Sequence, residues 1–177
     1  MHLIWPNRKI DEDFVKSFLK TGFDMLQHCS QNTRMETQKD HLFNMLQTCM
    51  GNFGGEIKYL MSQNISKIID LLYNQDNLAV PMAEFVALCV KRQGSTIAGE
   101  IIRDLTKQIF HTDSSHETIG IKNIAKFLSK LSKLAPKAVY GNISCLLGFF
   151  DCEAYLLRQS LIKILANTIH YVFNPRL

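Results

Sequence analysis

The chain has 177 residues, 46% of them hydrophobic and 20% charged, which fits one domain or a piece of a larger one and excludes a disordered or collagen-like chain. Nine Gly and four Pro are too few for a sandwich or barrel built on many tight turns, and no apolar stretch approaches the 18 residues of a transmembrane helix. The net charge of +4 conceals an asymmetry, −2 over residues 1–89 and +6 over 90–177, so the second half is suited to meeting an acidic partner.

Taken in chain order, the apolar spacing is helical almost throughout. The opening MHLIWPNRKIDEDF turns acidic at once and is not read as a signal peptide. Asp11, Glu12 and Asp13 precede a first run whose face is read as Phe14, Phe18, Met25 and Cys29, with Leu19 and Leu26 beside them. A second run covers about 35–51, with Leu42, Met45, Leu46 and Cys49 on one face, and the GNFGG at 51–55 stops it. A third covers about 56–73, from Ile57 to Leu72, before the turn cluster NQDN. The fourth, about 79–92, ends in Lys91, Arg92 and then Gly94. The fifth opens at Ser95 or Thr96 and carries Ile97, Ile101, Ile102, Leu105, Ile109 and Phe110. After a break at 111–117 a sixth runs to Leu134, and Pro136 ends it while opening a seventh, about 137–149. The eighth spans about 153–173, with Asp151 as its expected cap.

These starts have a period. First members of helix pairs begin near 12, 56, 95 and 137, and second members near 35, 79, 117 and 153. Helix pairs recurring at about 40–47 residues mark HEAT or armadillo arrays, although the later spacings are slightly short. The reading is an all-α, HEAT-like solenoid of about four antiparallel pairs (about 12–51, 56–92, 95–134 and 137–173), a single segment that belongs to a longer array. An irregular helical bundle is the competing arrangement.

Two constellations stand out, each with a plain structural alternative. In DCEAYLLRQSLIKIL at 151–165, Asp151 and Glu153 suit a helix N-terminus, and Arg158 is placed to reach a neighbouring repeat. These three read as inter-repeat ties. Lys122, Lys126, Lys130 and Lys133 share an arc of about 80° opposite Ile121, Ile124, Leu128, Leu131 and Ala135, and Lys137 follows Pro136. Such a row suits a phosphate backbone read without sequence preference. A solvated helix face explains it as well. No Trp or Tyr interleaves the lysines, so base stacking is not supported.

No catalytic, cofactor or metal assignment follows. His28, Cys29, His41 and Cys49 fit no zinc spacing. The nucleotide-binding GxxxxGK[ST], the hydrolase GxSxG and the metalloprotease HExxH motifs are all absent from the sequence. The five cysteines (29, 49, 89, 145, 152) include no CxxC pair and suggest a reduced, intracellular compartment. The chain reads as a non-enzyme.

In the order of its motifs the chain resembles the condensin complex subunit 1 family, the large HEAT-repeat, non-SMC subunits of condensin, in their N-terminal half. The resemblance rests on 120–165, a helix, a proline, an N-I-S-x-L-L-like helix, then D-x-E-x-Y-x-x-R at Asp151, Glu153, Tyr155 and Arg158. GEIIRDL at 99–105 and the opening W-P with its acidic helix are also similar. The resemblance implies a scaffold without catalytic residues or cofactor. It also implies binding to the kleisin subunit, contact with duplex DNA, work beside the SMC ATPase pair in mitotic chromosome compaction, and no membrane partner. The expected location is nucleus and chromosome, with the cytoplasm for part of the cell cycle. Family members are several times longer, so the chain looks like a fragment or a truncated gene model, and no kleisin-contact residue is carried over. The equivalent subunit of the second condensin complex, and a generic HEAT adaptor of the transport or phosphatase-scaffold type, remain the alternatives.

Overall fold

A computed structural model describes residues 11–29, 36–57, 59–75, 77–111 and 118–173. Its α-helices are α1 (Glu12–Cys29), α2 (Glu36–Phe53), α3 (Ile65–Asn74), α4 (Ala79–Gln93), α5 (Thr96–His111), α6 (Ile119–Leu134), α7 (Pro136–Tyr140), α8 (Ile143–Leu146) and α9 (Tyr155–Phe173). Among the described residues there is no strand. No helix among them is long and apolar enough to cross a membrane.

The starts and stops follow local chemistry. Asp11 Oδ1 accepts the Phe14 N–H at 3.0 Å, satisfying one of the free donors of the first turn of α1. Thr118 does the same for α6, accepting from the Ile121 N–H at 3.3 Å. Gly94, at φ +94°, closes α4 in the left-handed region that glycine enters without strain, and its N–H donates to the Val90 carbonyl at 2.9 Å. Pro136 occupies the first turn of α7, as expected of a residue with no N–H to lose there. The opening Trp-Pro motif and most of the 111–117 break lie outside the described residues.

The helices form two layers. One holds α1, α3, α5 and then α7 with α8; the other holds α2, α4, α6 and α9, each packed on the next. Along the chain, α1 packs on α2 and α3, whereas α9 packs on α6, α7 and the 3-10 segment Leu147–Asp151. Lateral stacking of this kind is the HEAT-like, all-α solenoid arrangement. One continuous apolar core lies between the layers, from Val15 and Leu19 through Phe85, Ile101 and Phe127 to Leu161 and Ile164. Phe23 and Phe85 meet edge to face inside it, their centroids 5.7 Å apart.

Four local expectations change. The buried face of α1 is Val15, Leu19, Gly22, Phe23, Leu26 and Cys29; Phe14 is 66% exposed and Met25 is also outward. The α1 sequence has apolar side chains on two adjoining arcs, and packing against α2 selects the second. The third run keeps its buried residues, Ile57, Leu60 and Met61 among them, but the α-helix begins only at Ile65, after a 3-10 turn at Ser62–Asn64. Tyr59 stands at φ 57°, a conformation that ends any right-handed helix at that point. The seventh run is divided into α7, α8 and the 3-10 segment. The break falls at Gly141–Asn142, where Asn142 turns its amide back onto the Ala138 carbonyl at 2.9 Å. Finally, α9 starts at Tyr155, so Asp151 closes the 3-10 segment instead of capping that helix. On its outward side α9 shows Tyr155, Ile162, Ile169 and Phe173, all more than half exposed.

Candidate nucleic-acid interface

Helix α6 has a sharply divided surface. Its buried side includes Gly120, Ile121, Ile124, Phe127, Leu128 and Leu131, and Asn123 on the same side donates to the Gln75 carbonyl at 2.6 Å. These contacts lock the rotation of the helix against α3 and α4. The lysine row is thereby aimed outward, with Lys122, Lys126 and Lys133 exposed and Lys130 half-buried. Lys122, Lys126, Lys130 and Lys133 line a groove of about 630 Å³ between α4, α6 and α9. Val80, Ala125, Leu156 and Ala166 contribute its apolar surface, and Ser129, Gln159, Ser160 and Asn167 its polar one. Asn167 Nδ2 donates to the Ser132 hydroxyl at 2.8 Å, tying α9 to α6.

Across the groove α9 adds Lys163, a fifth ammonium group that helical spacing along the first helix cannot reveal. Lys122 to Lys133 spans about 16 Å at 1.5 Å per residue, the axial rise of about five phosphates on one DNA strand. The lysines are not equivalent. Lys130 is half-buried and pairs with Glu84 of α4 at 3.1 Å. Partly exposed pairs of this type contribute about 0–1 kcal/mol. The other four carry no ion pair among the described residues. Lys137 lies exposed on α7, outside the lining of the groove.

Of Asp151, Glu153 and Arg158, the three residues expected as inter-repeat ties, Arg158 makes local bonds. Arg158 Nη1 donates to the carbonyl oxygens of Cys152 and Glu153, the second at 2.8 Å. These bonds fasten the loop that leads into the helix carrying Arg158. Asp151 and Glu153 are exposed. Tyr155, the motif's third marked position, faces outward.

The motif order can now be set beside known proteins. The chain is 26% identical over 98% of its length to the condensin-1 complex subunit CAP-D2 of Arabidopsis thaliana. It is 24% identical over 94% to condensin complex subunit 1 of Xenopus laevis and 24% over 97% to that of Mus musculus. The chain is similar to condensin complex subunit 1 along nearly its whole length. It spans 12% of the length of each of these condensin relatives. No family model matches the chain, and no solved structure does.

Among the described residues no three His, Cys, Asp or Glu side chains come together as a metal would require. The Cys49 thiol is pushed up to about 11 by burial, and burial raises Cys89 too, so both are held as neutral thiols. Burial, with the charge of Asp151 behind it, also raises Cys152.

Proposed function

We propose that the chain is a segment of a non-enzymatic HEAT-repeat subunit of condensin. In this reading it consists of four antiparallel helix pairs (about 12–51, 56–92, 95–134 and 137–173) within a longer solenoid. It would serve mitotic chromosome condensation in the nucleus and on the chromosome, as a scaffold that contacts kleisin and duplex DNA beside the SMC ATPase pair. The supporting observation is the likeness to the condensin-1 complex subunit CAP-D2 over 98% of the chain and to condensin complex subunit 1 over 94% and 97%. The five-lysine groove supports the DNA part, because a row of ammonium groups follows a phosphate backbone without reading bases.

The test is fluorescence anisotropy of the 177-residue chain with duplexes of unrelated sequence at several salt concentrations. Four free lysines (Lys122, Lys126, Lys133 and Lys163) give an expected slope of log K against log salt of about −3.6, equal for all duplexes. Replacing Lys122 and Lys126 together by Gln makes it shallower by about 1.8. An unchanged slope in that pair removes the DNA contact from the groove. A second reading, an adaptor that binds protein alone, draws on the exposed apolar row of α9, and co-purification with a kleisin chain in the absence of DNA binding would favour it.

A further inference from the structure

The three helices around the groove have an uneven charge inventory. Neither α6 nor α9 contains an Asp or Glu, and α4 contains one, Glu84. That single carboxylate sits one helical turn beyond the groove-lining Val80 and reaches Lys130, in the middle of the row. Lys130 has a half-buried stem and cannot swing freely away. Its ammonium group is therefore kept in line with Lys126 and Lys133 while carrying no net charge into the groove.

We propose that Glu84 is an internal anion that occupies Lys130 and competes with a phosphate for it. The assignment rests on the DNA reading of the groove and deepens it. At rest the groove presents four lysines with no ion pair among the described residues, and a fifth, Lys130, held by Glu84. Phosphates engage the four, while the fifth stays with Glu84 because the two anions would otherwise crowd one ammonium group. Removing the carboxylate charge makes the fifth lysine available, and the number of phosphates neutralised rises from four to five.

The experiment compares the wild-type chain with Glu84→Gln, Lys130→Gln, the double variant and Asp70→Asn in the same anisotropy assay. Asp70 is exposed on α3, in the other layer, and its replacement makes the same change in net charge away from the groove. Glu84→Gln should bind duplex DNA more tightly, with a slope steeper by about 0.9 than the wild type. Its advantage at 50 mM salt should be about 3.5 times its advantage at 200 mM, the consequence of one added contact. Lys130→Gln alone should leave the slope unchanged, and in the Glu84→Gln background it should cancel the gain. Thermal melting of each variant confirms that all are folded. A wild-type slope near −3.6 with Glu84→Gln and Asp70→Asn behaving alike would overturn the role of Glu84 and leave the DNA reading standing. A wild-type chain that does not bind duplex DNA at 50 mM salt would remove both.

Discussion

Gly120 is where the placement of the lysine helix is most exposed to a single methyl group. It is buried at the second position of α6, and a Cβ there would stand 2.8 Å from the Tyr73 carbonyl oxygen and 3.1 Å from the Tyr73 ring. The first of these is backbone at the end of α3, and cannot rotate aside as a side chain would. The start of α6 is also tethered by the Thr118 cap and by the Asn123–Gln75 bond, so the helix cannot simply retreat. Overpacking of this kind costs about 1–3 kcal/mol, offset by about 0.5–1 kcal/mol from replacing a helical glycine by alanine. Gly120→Ala should therefore lose about 0.5–2 kcal/mol, or about 1–8 °C in Tm for a chain of this length. Gly51 supplies the contrast, since it lies inside α2 and a Cβ there would meet nothing within 4 Å. Gly51→Ala should gain up to about 1 kcal/mol from propensity alone. Thermal melts by circular dichroism, with urea titration to obtain free energies, measure both. If Gly120→Ala melts at or above the wild type, the close approach of α6 to α3 is wrong.

Three further outcomes are expected. Phe85→Ala, which empties a fully buried site and removes the edge-to-face partner of Phe23, should cost about 3–5 kcal/mol in urea unfolding; a loss under 1 kcal/mol would contradict the burial of Phe85 and its contact with Phe23. Arg158→Met keeps the aliphatic stem but leaves the carbonyls of Cys152 and Glu153 without their donor, and should cost about 1–2 kcal/mol with faster hydrogen exchange confined to the loop before α9. Cys49 has a folded-state value of about 11, raised from an ordinary 9.0, so its contribution is complete below pH 9 and lost as pH rises toward 11. The stability difference between wild type and Cys49→Ala should shrink over that window, and a difference constant from pH 8 to 11 would refute the assignment.

How much was legible in the sequence depended on whether a feature lies on one helix or between several. The lysine row was readable because one helix with a clean apolar side fixes its own outward arc. Lys163 and Glu84 were not, since they belong to α9 and α4, and only the lateral packing of those helices brings them to α6. The same limit applies to α1, where two adjoining apolar arcs compete and the choice is made by α2. It applies to Arg158 as well, whose spacing allowed several reaches and whose chosen partners lie five and six residues back. Helix 3 shows a different failure. Its apolar period continues unbroken from Ile57, and a buried turn can satisfy that period as well as a helix does. The left-handed Tyr59 that separates the two leaves no mark on the pattern.

The two walls of the groove stand on different members of the stack, α6 on one side and α9 on the other. In a two-layer array the curvature is the sum of small rotations between successive members. A rotation of α9 relative to α6 that tightens or relaxes that curvature must therefore also change the gap between Lys163 and the α6 row. Groove width and bending of the array are one mechanical variable. Anything that clamps the groove stiffens the array at this point, and tension applied to the array from either end is felt as a change in the spacing of its charges.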